Sequence, residues 1–169
     1  MKLTALAFSF IFVSVLAAQP YGTASSKEER MQIAAEMDNS VKTELLNKWY
    51  PQCIDSLYGG YLSTYTFDFK PTGPQDKFIV TQARHVWTNS KAAELYPNVS
   101  YYLAGAKHGF QFLRDVMWDK TYGGFYNLVD RQGKDKSNPA SPKEAYGNAF
   151  AIYALAAYYH ASKDTGALG

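Results

Sequence analysis

The chain has 169 residues, 47% hydrophobic and 16% aromatic, with a net charge of +2, which is the make-up of one compact domain with a single core. That composition excludes disorder, and the near-balanced charge, with no basic block, argues against nucleic acid as a partner. The 14 tyrosines provide ring faces suited to packing and to stacking on sugars.

The first twenty residues, MKLTALAFSFIFVSVLAAQP, read as a secretory signal peptide: Lys2, an apolar run from Leu3 to Val13, then small residues. The run is short and contains Ser9, so a membrane anchor is the weaker reading. Cleavage is expected near Ala17 or Ala18, giving residues 1–18 as the signal and a secreted or periplasmic product with no membrane attachment. Cys53 is the single cysteine, so no internal disulfide forms, and a buried, inert thiol is expected.

Lys27 to Trp49 reads as an amphipathic outer helix, with Ile33, Ala34, Met37, Val41, Leu45 and Trp49 recurring at threes and fours. Ser25 and Ser26 offer its cap, and Pro51 ends it. Asp55-Ser-Leu-Tyr-Gly-Gly-Tyr predicts a tight turn on Gly59 and Gly60, followed by a short strand or extended arm from Tyr61 to Phe69. A helix starting at Gln75 or Asp76 and ending near Tyr96 carries Ile79, Val80, Ala83, Val86 and Trp87 as an apolar stripe. Lys77, Thr81, Arg84 and Thr88 fall on one polar strip of that helix, which either faces solvent or lines a wet cavity.

A third helix runs from Asn98 or Val99 to Trp118, with Leu103, Ala106, Phe110, Leu113 and Met117 on one face and Lys107, Gln111 and Arg114 opposite. His108 lies in its interior and reads as structural. Asp119-Lys-Thr-Tyr-Gly-Gly-Phe then repeats the earlier turn at an offset of 64 residues. A strand-like Phe125 to Asp130 and a turn at Arg131-Gln-Gly-Lys134 lead to a fourth helix, Lys143 to Ser162, apolar nearly all round and expected to be covered on both sides. Its Lys143, Asn148, Phe150 and Tyr153 align with Lys77, Gln82, Arg84 and Trp87 at an offset of 66. The internal repeat makes the fold all-α, a toroid or solenoid of helical hairpins with short β-hairpin loops. Because Phe150 stands where the first unit has Arg84, the arginine marks a specific site rather than a repeated structural feature.

Gln82-Ala83-Arg84 with Trp87, the paired D-x-x-Y-G-G turns, Phe112-Leu-Arg-Asp115 and Tyr146-Gly-Asn-Ala-Phe-Ala-Ile-Tyr153 together resemble the N-acylglucosamine 2-epimerase family, which includes cellobiose and mannobiose 2-epimerases and aldose-ketose isomerases. The resemblance runs from about Thr43 to the C-terminus. It implies a partial (α/α)6 barrel over residues 43–169, preceded by a linker and the start of the first outer helix over 19–42. It also implies a mono- or disaccharide substrate, Arg84 as the catalytic and substrate-binding residue that holds sugar oxygens near the reacting carbons, and Tyr146 as a second substrate-binding residue. For Tyr146 a packing role is the alternative. Trp87, Phe150 and Tyr153 are read as core.

The reaction implied opens the sugar, removes the C2 proton and returns it on the other face through an enediolate, using two histidines and no metal or cofactor. Those histidines sit on later inner helices of the family, and His85, His108 and His160 do not match them. Six units of this length would more than double the chain, which therefore reads as an N-terminal fragment, expected to be inactive alone and prone to aggregate. Two other readings are an (α/α)6 glycoside hydrolase or lyase and a non-catalytic sugar-binding remnant. The hydrolase needs two carboxylates across a funnel, yet Asp55, Asp68, Asp76, Asp115, Asp119 and Asp130 fall in turns and helix ends.

Overall fold

The computed structural model describes residues 25–168, so the expected signal peptide lies outside the described residues. These residues divide between Asn39 and Ser40 into two units. In the first, helix α1 (Lys27–Ser40) opens with a reciprocal cap: Ser26 N–H donates to Glu29 Oε2 at 2.7 Å and Glu29 N–H to Ser26 Oγ at 3.1 Å. Met31, Ile33 and Met37, on the apolar face expected of this helix, are exposed. Helical backbone continues without a break to Trp49, as expected, but not as regular α-helix throughout. A π-helical segment, Val41–Leu46, and the short α2 (Asn47–Trp49) follow, and Leu46 is their buried residue.

The second unit carries the repeat. Asp55 N–H donates to Gly60 O at 3.0 Å and Gly59 N–H to Asp55 O at 2.9 Å; Asp119, Gly123 and Gly124 make the same pair of bonds at 2.9 Å each. Gly59 and Gly60 have φ of +80° and +66°, and Gly123 and Gly124 +70° and +77°, a region that a Cβ makes costly. Tyr61 to Phe69 does not form a strand; isolated bridges tie Ile54 to Tyr61 and Tyr65 to Pro71. The regular sheet is one antiparallel pair, β1 (Lys77–Phe78) with β2 (Leu128–Val129), which joins the two repeats.

Helix α3 (Ile79–Leu95) packs between α4 (Ser100–Phe112) and α5 (Ala145–Ser162). Small residues set the closeness of both contacts. A methyl on Gly147 of α5 would fall 2.5 Å from Ile79, and one on Gly109 of α4 would fall 2.4 Å from Tyr61 and 2.6 Å from Val86. This turns α4 slightly from the expected face: Tyr102, Gly105, Ala106, Gly109 and Phe110 are buried, whereas Leu103 is 39% exposed. The π-helical segment Leu113–Met117 then inserts Leu113 and Met117 into the core while Lys107, Gln111 and Arg114 stay outside. Helix α5 is not covered on both sides among the described residues. Gly147, Ala151, Ala154, Ala157 and Tyr158 are buried, but Ile152 is 67% exposed.

Candidate functional site

The inner helices α3 and α5 are each fixed at their start by a lysine and an amide drawn from the repeat. Lys77 Nζ donates to Asp55 Oδ2 at 3.1 Å and to Gly59 O at 2.6 Å; Lys143 Nζ donates to Asp119 Oδ2 and, at 2.7 Å, to Gly123 O. Gln82 Oε1 accepts from Tyr61 N–H at 2.8 Å, as Asn148 Oδ1 accepts from Phe125 N–H at 2.9 Å. Lys77 therefore does not belong to a polar strip with Arg84. Its side chain is fully buried in β1, two residues before the helix begins, because the carboxylate it neutralises lies under the turn. Both carboxylates are held at about 2: at Asp55 the bonds from Arg131 and Lys77 outweigh the opposing effect of burial, and at Asp119 the Lys143 bond dominates.

Arg84 projects from α3 as an exposed side chain, and no hydrogen bond or ion pair reaches its guanidinium from the described residues. Its sequence neighbour faces the opposite environment. The His85 ring stacks on Tyr61 at 4.7 Å, and Tyr50 hydroxyl lies 2.8 Å from His85 Nδ1. Burial, reinforced by the Arg84 charge, lowers the His85 pKa to about 4, so the ring is neutral at pH 7. Tyr50 was not singled out from sequence; the pairing spans 35 residues and has no local signature.

One turn beyond Arg84, Trp87 stacks on Tyr153 of α5, ring centroids 5.6 Å apart and planes 20° from parallel. The Trp87 Nε1–H is buried without a partner among the described residues. Trp87 and Phe150 pack partly buried against the core as expected, but Tyr153 is 54% exposed and is no core residue: on α5 the buried strip passes through Ala151 and Ala154 on either side of it. Tyr146, at the second position of α5, is 62% exposed and meets Phe150 edge-on at 5.0 Å. The packing alternative for Tyr146 thus extends only to that ring contact. Arg84 and Tyr146 both lie on exposed parts of adjacent helices, and no hydrogen bond joins them among the described residues.

Several other titratable residues have structural partners. His108 Nε2–H donates to Gly60 O at 3.0 Å, the structural role expected of it, and His160 Nδ1 sits 2.7 Å from Glu94. Cys53 is fully buried, with its thiol pushed up to about 12 by desolvation. Asp130 accepts from the Lys134 backbone N–H, the hairpin role its position suggested, whereas Asp68, Asp76 and Asp115 form ion pairs with Lys70, Lys136 and Arg114. Among the described residues no three His, Cys, Asp or Glu side chains gather as metal ligands.

The sequence model of the N-acylglucosamine 2-epimerase (GlcNAc 2-epimerase) family matches residues 60–167, a stretch that holds both inner helices and the second Gly-Gly turn. The chain belongs to this family. Within it, the cellobiose 2-epimerase of Ruminococcus albus is 32% identical over 136 residues, covering 78% of this chain and 34% of that protein. The D-mannose isomerase of Marinomonas mediterranea is 30% identical over 106 residues, 63% of this chain and 25% of its own. The structure of cellobiose 2-epimerase from Spirochaeta thermophila superposes with a TM-score of 0.72 at 34% identity, over 84% of this chain and 34% of that one. The two repeats of this epimerase-family chain are thus hairpin units of an (α/α)6 barrel, and the chain spans about a third of the length of the curated relatives it matches.

Proposed function

We propose that the chain forms part of a carbohydrate 2-epimerase acting at C2 of a reducing mono- or disaccharide, and that Arg84 is its oxyanion-stabilising residue. The observation that carries this is a guanidinium exposed on an inner helix and without a hydrogen bond or ion pair among the described residues, at the repeat position where the second unit has Phe150. In the reaction a base removes the C2 proton of the open-chain aldose, negative charge develops on the enediolate oxygens, and a proton returns to the other face of C2. A guanidinium keeps its proton at working pH and offers paired donors to that charge. Tyr146, exposed on the neighbouring inner helix, is proposed to donate to a sugar hydroxyl.

His85, His108 and His160 are each engaged by a Tyr, a carbonyl or a Glu, so the proton-transfer groups are assigned outside the described residues. The test uses a chain of full epimerase length bearing Arg84→Ala. Loss of roughly 100-fold or more in kcat with the fold intact is expected, and near-normal turnover overturns the assignment.

Aldose-ketose isomerisation is the second reading, supported by the likeness to a D-mannose isomerase. It uses the same enediolate but returns the proton to C1. Turnover in D2O separates the two: deuterium at C2 of an aldose product supports epimerisation, and deuterium at C1 of a ketose supports isomerisation. A secreted or periplasmic location is proposed on the signal-like residues 1–18; exported protein whose intact mass still includes Met1 or Lys2 would refute cleavage.

A further inference from the structure

Among the described residues, Arg84 is fixed only through its backbone. No hydrogen bond or ion pair holds the guanidinium, so its direction follows from where its Cα stands on α3. Successive helical residues stand about 100° apart around the axis, so a rotation of this turn that moves His85 moves Arg84 by the same angle. An oxyanion donor has to be held to within about 0.5 Å and 10–20° of its working geometry.

His85 is where that turn is gripped. Its ring stacks on Tyr61 at 4.7 Å and meets Trp49 and Tyr50, at the end of α2, at 5.8 Å each. The Tyr50 hydroxyl lies 2.8 Å from His85 Nδ1 and also faces Thr88, one turn after Arg84. Asn89 Nδ2 donates to the His85 carbonyl at 2.9 Å, and Asn89 is fully buried against Gly105 of α4. Ring contacts tolerate some sliding and tilt, whereas a hydrogen bond is directional and fixes an angle. Tyr50 is itself immobilised: it is buried, its N–H donates to Leu46 O at 2.8 Å, and Tyr102 meets its ring edge-on at 6.4 Å.

The grip and the arginine occur together. At the offset of 66 residues that places Phe150 opposite Arg84, the second repeat has Ala151 for His85 and Leu155 for Asn89, neither with a polar side chain. Ala151 is fully buried, so packing alone satisfies this place in the fold. A polar pair stands there only in the repeat that carries Arg84.

We infer that Tyr50 and His85 are positioning residues of the proposed reaction, their hydrogen bond setting the rotation of α3 at which Arg84 meets the enediolate oxygens. The inference rests on the role proposed for Arg84.

The test uses a chain of full epimerase length. Tyr50→Phe deletes the hydroxyl and keeps the ring contacts; kcat should fall roughly 10- to 100-fold with KM changed by less than about threefold. In an Arg84→Ala background the same substitution should change kcat by less than about twofold, because nothing is left to aim. Tyr158→Phe, which deletes a hydroxyl bonded to Asp164 at 3.0 Å, controls for a general loss of stability and should leave kcat at the parent level. His85→Asn, which keeps a polar atom at the Nδ1 position, should retain more of kcat than His85→Phe, which keeps the ring. Unchanged kcat in Tyr50→Phe overturns the inference, as does an equal loss with Arg84 present and absent, or His85→Phe outperforming His85→Asn. Near-normal turnover in Arg84→Ala alone instead overturns the role of Arg84 on which the inference rests.

Discussion

Arg131 Nε donates to Asp55 Oδ2 at 3.0 Å, joining the turn after β2 to the Gly-Gly turn of the first repeat across 76 residues of chain. The same contact is sealed from below by Lys77, whose Nζ reaches Asp55 Oδ2 at 3.1 Å and Arg131 O at 2.9 Å. Asp55→Asn leaves the fully buried Lys77 ammonium without its counter-ion, and unfolding in urea should register a loss of about 3–5 kcal/mol. Asp119→Asn should cost less, since the Lys143 side chain retains access to water. Equal losses at the two positions would contradict this ranking.

Acid should weaken the same latches. Both aspartates are held at about 2, below the ordinary value of 3.8. Their folded-state values are depressed, so the stability they contribute is complete above about pH 4 and is lost as pH falls towards 2. Thermal midpoints measured across that window should drop steeply in the parent chain and less steeply in Asp55→Asn.

His85 acts at higher pH. Its folded value of about 4 lies below the ordinary value of 6.5, so the unfolded chain takes up the proton first. Stability from the neutral ring is therefore full above about pH 6.5 and declines as pH falls to about 4, by on the order of 3 kcal/mol. A His85→Asn chain, lacking the titrating ring, should show a flat profile over that interval; a slope unchanged from the parent would show that His85 does not carry it.

Gly109→Ala places a methyl 2.4 Å from Tyr61 and 2.6 Å from Val86, both fully buried. Neither neighbour is the free end of a flexible chain, so α4 has to move off the core. A loss of about 1–3 kcal/mol is expected in chemical denaturation, and an unchanged midpoint would mean that α4 does not make this close approach.

Arg84→Ala should leave stability within about 0.5 kcal/mol of the parent, because the side chain is exposed and no partner loses a bond. A large destabilisation would assign Arg84 a structural role and weaken its place in the chemistry.

The parts legible without coordinates were those set by local pattern. Paired Gly-Gly turns demand positive φ, helical spacing of apolar residues marks α3, α4 and α5, and the register between repeats isolates Arg84 against Phe150; each depends on residues within a few turns of one another. The family itself was legible for the same reason, since its motifs lie in those turns and helices. Tertiary structure decided what depends on partners far along the chain. Lys77 reads as one more polar residue on a helix until Asp55, 22 residues away, is seen to draw it into a buried strand. Tyr50 and His85, or Arg131 and Asp55, carry no sequence sign of their pairing, because a side-chain hydrogen bond constrains position in space and not spacing in sequence. The apolar circumference of α5 likewise looks uniform in sequence. Only the packing of α3 on Gly147, Ala151 and Ala154 determines which side is core and which leaves Ile152 and Tyr153 open.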